Sequence, residues 1–177
     1  MISKLNRIKS KQRGFTLLEA LIAFMIISIG MLGIASLQLL SLKAGKTAEL
    51  RTLATFKAEE ILERIRSNPE ALDPAKSANG YDSGLNDWGT SMGCNVTKSC
   101  SRAEMALDDI FQWKQDLLTS MNTTAKASVA TIPSTPGVQP YDSVTVTINW
   151  QERNQESQTM DNMSYSVTAY ICNNTKC

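Results

Sequence analysis

Four cysteines, one carboxylate in an apolar run and an acidic turn are the groups in this chain whose types and spacing could do chemistry. The cysteines fall as two close pairs, Cys94 with Cys100 and Cys172 with Cys177. Four thiolates could hold a metal ion, but C-x5-C and C-x4-C are not the usual zinc spacings. Oxidation is the expected chemistry. Four cysteines allow three pairings. Short loops close easily, so Cys94–Cys100 and Cys172–Cys177 are the expected disulfides, each contributing roughly 2–4 kcal/mol by limiting disorder in the unfolded chain. The turn YDSGLNDWG holds Asp82, Asn86 and Asp87, oxygen donors of the kind Ca²⁺ takes, without an EF-hand order. A solvated turn is expected there, with no metal site and no cofactor.

The chain has no histidine. That removes the usual general base at neutral pH and any Ser-His-Asp or Cys-His site. No catalytic set is visible, and the chain reads as a non-enzyme. At 177 residues, with 42% hydrophobic and 20% charged residues, it has the composition of a globular domain plus something extra. Lys4, Arg7, Lys9, Lys11 and Arg13 crowd into the first 14 residues, which hold no acid. With those five set aside, 13 basic and 17 acidic residues remain, a balance of −4. A mildly acidic remainder argues against broad attraction to nucleic acid.

The carboxylate is Glu19. After it no charge appears until Lys43, and Ala20 to Leu42 is mostly Leu, Ile, Ala, Met and Gly. As a helix rising ~1.5 Å per residue, this run spans about 34 Å, enough for a ~30 Å hydrocarbon core. The basic residues ahead of it should stay cytoplasmic, leaving Lys43 onward outside, in an oxidising compartment. An exported signal peptide would have a shorter apolar core and a small-x-small exit. A carboxylate deep in a membrane helix costs about 2.5–3.5 kcal/mol, so Glu19 is a candidate functional residue.

The segment KQRGFTLLEALIAF resembles the class III signal of type IV pilins and their relatives: a short basic leader, Gly14, Phe15, then Glu19 leading into an apolar helix. The resemblance implies cleavage between Gly14 and Phe15 by a membrane prepilin peptidase, which also methylates the new amino terminus on Phe15. It further implies that the Glu19 carboxylate meets the amino terminus of a neighbouring subunit in a filament. An unpaired carboxylate in a low-dielectric bundle is costly, and an amine relieves that cost. Residues 1–14 would then be a leader that is removed, and 15–42 a transmembrane and filament-core helix. Residues 43–177 would be a globular head that includes the second half of the long helix.

The elements behind these residues are legible. Leu50, Leu53, Ala54, Ala58, Ile61, Leu62 and Ile65 keep three-four spacing, which predicts a helix running from Phe15 to about Ser67. Glu60 and Arg64 form an i, i+4 pair, and Asn68-Pro69 supplies the stop. Residues 69–101 are rich in Gly, Ser, Asn and Asp and read as a long irregular connection. SRAEMALDDIFQWKQDLLTSM predicts a helix with Ser101 as N-cap, Glu104 as capping-box partner, and Ala106, Ile110, Trp113, Leu117 and Met121 or Leu118 on one face. KASVATI, SVTVTINW and MSYSVTAYIC predict strands, with Val144, Val146, Ile148 and Trp150 on one face of the second and Tyr165, Val167, Ala169 and Ile171 on one face of the third. IPSTPGVQPY and QERNQESQTMDN read as turns. The sum is an α+β fold, a long N-terminal helix on a small antiparallel sheet.

This order of parts is similar to the minor pilins. The implied partners are other minor and major pilins, prepilin peptidase, the inner-membrane assembly platform and the membrane itself. The implied location is the bacterial inner membrane, with the head in the periplasm, and then the filament or its tip. Minor pseudopilins of type II secretion share the front end, and a tip adhesin or DNA-binding module is a further alternative.

Overall fold

The computed structural model describes residues 14–72, 80–121, 123–135, 141–154, 157 and 159–172. It divides into two compact units, residues 1–45 and 46–177.

The first unit holds the beginning of helix α1, Leu17–Ser67. Here α1 is apolar on every side, and Leu17, Phe24, Leu32 and Leu42 are all exposed. Two of its hydroxyls are satisfied within the helix: Ser28 Oγ donates to the Phe24 carbonyl at 2.7 Å and Ser36 Oγ to the Gly33 carbonyl at 2.8 Å. Hydroxyls bonded back to the helix leave the run from Ala20 to Leu37 with an almost wholly apolar surface, as a bilayer or an apolar bundle requires. The helix continues through Gly30 and Gly33, where an added Cβ would meet no other atom. Among the described residues α1 is the one helix long and apolar enough to cross a membrane.

The second unit is the α+β layout expected. The rest of α1 buries Leu50, Ala54, Ala58, Ile61, Leu62 and Ile65, while Leu53 stays half-buried at the margin. The helix stops at Ser67, and Pro69–Leu72 forms a short 3-10 turn. Helix α2, Arg102–Ser120, starts in a complete capping box: Ser101 Oγ accepts from the Glu104 N–H and the Glu104 carboxylate accepts from the Ser101 N–H at 2.8 Å. Its buried face carries Ala106, Ile110, Trp113 and Leu117. Three antiparallel strands follow in the order β1-β2-β3: Lys126–Ile132, Asp142–Arg153 and Met160–Ile171. Val129 sits opposite Val146, and Val146 opposite Val167, so one face of the sheet collects the apolar side chains. Those from β1 and β2, with Ala169 and Ile171, join the buried faces of α1 and α2 in a single core.

One expectation needs correction. The stretch QERNQESQTMDN is not turn throughout: Gln151–Arg153 extends β2 and Met160–Asn162 begins β3, paired as Gln151↔Asn162 and Glu152↔Asp161. Ladder hydrogen bonds continue as long as partners stay in register, so polar residues at the tip of a hairpin remain strand. The connection 69–101 is irregular where it is described, as expected, apart from the turn Pro69–Leu72, and it is tied to the core. Tyr81 is fully buried within it, and Ser83 pairs with Val129 on β1.

Candidate functional site

The start of α1 is built by a local cap. Thr16 precedes the helix, and its Oγ1 accepts from the Glu19 N–H at 3.3 Å. Its carbonyl accepts from Glu19 and Ala20 at 3.1 and 3.2 Å. Thr16-x-x-Glu19 is the spacing of a capping box, a signal present in the sequence that the functional reading of Glu19 passed over. Glu19 therefore sits in the first helical turn, where the helix dipole favours a negative charge. Phe15 is 72% exposed one residue ahead of the cap, and Gly14 is exposed before it. The bond between them lies in non-helical backbone directly ahead of the helix, and the acid stands four residues after Phe15.

In the head, polar side chains lock α2 to α1. Glu60 accepts from Lys57 at 2.7 Å and Arg64 at 2.8 Å, and Arg64 reaches Asp109 on α2 at 3.4 Å. Burial raises the pKa of Glu60, but hydrogen bonds from Lys57 and Arg64 outweigh it and hold the carboxyl below its ordinary value. Tyr81 donates to Asp109 at 2.9 Å, and burial together with the Asp109 charge pushes its phenol well above the usual range. Trp113 donates its indole N–H to the Lys57 carbonyl at 2.7 Å, and Asn68 donates to the Arg102 carbonyl at 2.9 Å.

The cysteine loop is closed and anchored. Cys94 and Cys100 are disulfide-bonded with Cα atoms 5.8 Å apart. Just before it, Asp108 of α2, itself buried, accepts from the Met92 and Gly93 N–H groups at 2.6 and 2.9 Å and from Gln112 at 2.6 Å. Cys172 is disulfide-bonded. Cys177, its expected partner, lies outside the described residues.

The Asp82, Asn86 and Asp87 turn spends its oxygens on the protein. Asp82 accepts from the Thr131 N–H and hydroxyl, Asn86 from Lys126, and Asp87 from the Gly89 N–H. Among the described residues no cluster of three His, Cys, Asp or Glu could hold a metal ion. Lys114 completes this turn. Its buried ammonium donates to Ser83 Oγ at 2.6 Å, to the Gly84 carbonyl at 2.7 Å and to the Asp87 carbonyl. Burial lowers its pKa to about 8. Sequence reading missed Lys114, because its spacing on α2 marks only that it shares a face with Ile110 and Leu117.

Of the groups singled out from sequence, the structure brings Cys94 and Cys100 into one bond and keeps Gly14, Phe15 and Glu19 together at the start of α1. Trp113 and Trp150 are core residues, while Trp88 is 38% exposed.

Residues 9–35 match the family model of the prokaryotic N-terminal methylation motif. The matched stretch is the class III prepilin signal, and it contains Gly14, Phe15, Thr16, Glu19 and the first half of the apolar run. The motif supports a type IV pilin-like or pseudopilin protein, and it points to a structural protein rather than an enzyme. With the apolar start of α1, it fits a membrane-anchored, pilus-associated chain processed by prepilin peptidase. No curated protein and no solved structure is significantly similar to the chain.

Proposed function

We propose that the chain is a minor pilin of the PilV type, which takes part in priming a type IV pilus or in its tip complex. Prepilin peptidase cuts between Gly14 and Phe15, removes residues 1–14 and methylates the amine of Phe15. Residues 15–42 are held in the inner membrane and then in the filament core, and residues 43–177 stand in the periplasm until assembly. Other minor and major pilins pack against the apolar helix. Glu19 pairs with the amino terminus of a neighbour and sets the axial register, because an unpaired carboxylate in an apolar bundle carries a large desolvation penalty. The observation that carries this reading is the methylation motif at residues 9–35, running into a helix with its apolar side chains exposed.

Mass spectrometry of the protein from native membranes tests it. The expected species begins at Phe15 with a methylated amine. A chain that still starts at Met1, or one that starts beyond Leu42, overturns the reading. The alternative reading is a minor pseudopilin of a type II secretion system, whose front end is similar. A deletion that loses twitching supports the pilus assignment, and one that loses exoprotein release supports the other.

A further inference from the structure

Strands β2 and β3 run on past the start of β1. The ladder between β1 and β2 begins at the pair Lys126↔Asn149, whereas β2 and β3 stay paired through Gln151↔Asn162 to Arg153↔Met160. The sheet therefore has a step at Lys126. Thr124 stands beside it, and its Oγ1 accepts from the Gln151 N–H at 3.3 Å. A cleft of about 590 Å³ occupies this step. Small-molecule sites run from roughly 300 to 1,000 Å³.

Side-chain alternation decides what lines it. Ile148 and Trp150 are buried in the core, so Asn149 and Gln151 point to the opposite face, beside Ser164 and Asn162 of β3. Trp150 and Met163, paired between these two rows, complete the lining.

The polar groups of this lining mostly donate and accept at once: three carboxamides and two hydroxyls. Gln151 Nε2 donates to Asn162 Oδ1 at 3.1 Å, so these two amides hold each other in place. Asn149 and Ser164 sit side by side and make no side-chain hydrogen bond among the described residues. No carboxylate lines the cleft, and its one charge is Lys126, whose ammonium donates to Asn86 at 2.8 Å. Solvated surfaces usually interleave charges of both signs. Here the outward face of β2 and β3 continues uncharged, as the hydroxyl pairs Thr147–Ser166 and Thr145–Thr168 at 3.1 and 2.9 Å.

This set selects among ligand classes. Nucleic acid calls for several cations. A hydrophobic ligand calls for a mostly apolar wall. A peptide strand adds through the backbone of a sheet edge, and these side chains stand on a face. A sugar offers hydroxyls that donate and accept, and an acetamido group adds a planar N–H and C=O that a carboxamide can meet with two hydrogen bonds.

We propose that this cleft binds a saccharide bearing an acetamido group. The Asn149 amide pairs with the acetamido N–H and C=O, and Ser164 with the Gln151–Asn162 pair takes the hydroxyls. A longer chain follows the hydroxyl pairs along β2 and β3. All of the lining belongs to residues 46–177, and the proposal does not rest on the pilin reading.

The test uses the full chain in a detergent without a sugar headgroup. The probes are the β-1,4-linked tetramers of N-acetylglucosamine and of glucose. The first should bind and shift the side-chain amide resonances of Asn149, Gln151 and Asn162, and the second should bind at least about tenfold more weakly. Asn149→Thr suits a strand, should leave the melting temperature within a few degrees, and should weaken binding at least about tenfold. Ser164→Ala is the second variant, with the same expectation. No binding of the acetylated tetramer, binding that leaves those resonances in place, equal binding of the two tetramers, or undiminished binding by either folded variant overturns the proposal. Displacement of the sugar by inorganic phosphate, or by a capped peptide alternating Ser and Thr, overturns the choice of ligand. A native amino terminus that refutes cleavage at Gly14 leaves this result standing.

Discussion

Lys114 Nζ lies 2.6 Å from Ser83 Oγ, so a buried ammonium on α2 holds the very residue that bridges the edge of β1. Ser83, Gly84 and Asp87 together present three acceptors, which is what an ammonium with three donors can satisfy. The strap over β1 is thus fixed from the helix side.

Lys114 gives a pH signature. Its pKa is lowered to about 8 in the folded protein, below the ordinary value of 10.5. Between those values the unfolded chain binds more protons, so this group makes stability rise with pH from about 8 towards 10.5. Tyr81 acts oppositely: its raised pKa keeps the proton in the folded state, and its contribution falls as pH climbs past 10. Thermal melts in detergent at pH 7, 8 and 9.5 should show the rise, and Lys114→Met should remove it. At pH 7 the same variant should lose about 1–3 kcal/mol, because the charged hydrogen bonds to Ser83 Oγ and to the Gly84 and Asp87 carbonyls are removed, while the weaker bonds from the Asp87 N–H and the Ser83 hydroxyl to those carbonyls remain.

Gly89 should not tolerate a side chain. Its φ is +66°, and a Cβ would stand 3.2 Å from Ile110 Cγ2, the Leu107 carbonyl oxygen and the Phe111 nitrogen of α2. Gly89→Ala is expected to cost roughly 1–3 kcal/mol through backbone strain and crowding together, whereas Gly93→Ala, at a similar φ of +65° but with no atom nearby, should cost less. Denaturant melts of the two variants make the comparison.

The disulfide loop and Asp108 should be coupled. Replacing Cys94 and Cys100 with serine frees a loop of sequence separation 6 and should cost about 2–3 kcal/mol. Asp108→Ala should cost about 1–3 kcal/mol by leaving the Met92 and Gly93 N–H groups unbonded. Both act on one loop, so the combined variant should lose less than the two effects added. A double-mutant cycle on thermal stability measures the difference.

Glu19 and Thr16 separate assembly from helix capping. Thr16→Ala removes a cap worth about 1 kcal/mol and should leave assembly nearly intact. If Glu19 pairs with a neighbour's amino terminus as proposed, Glu19→Ala should keep normal protein levels and membrane insertion but lower assembled material at least ~10-fold, because breaking a buried ion pair costs roughly 3–5 kcal/mol. Immunoblots of membrane and sheared filament fractions read both. Normal assembly of Glu19→Ala would leave the carboxylate with only its place at the helix start.

Local chemistry was legible in the chain as written. The basic stretch, Gly14-Phe15, Glu19 and the apolar run follow one another closely in the chain, so the motif they form depends on order alone. The stop at Asn68-Pro69, the Ser101–Glu104 box and the alternation of β2 are equally local, each set by a few neighbouring residues. Closure of Cys94 on Cys100 followed from a short loop.

Tertiary structure decided what depends on distant partners. Tyr81 sits in a stretch rich in Gly, Asn and Asp, and only α1 and α2 make it a core residue. Lys114 and Asp108 look like solvated helix positions until the 82–93 segment folds over them. Which sheet edge is closed was invisible because hydrogen-bonding direction follows register, and register is fixed by the buried face of the whole sheet rather than by any one strand. Sequence carries the short-range code, and packing alone chooses which polar groups lose water and must find one another.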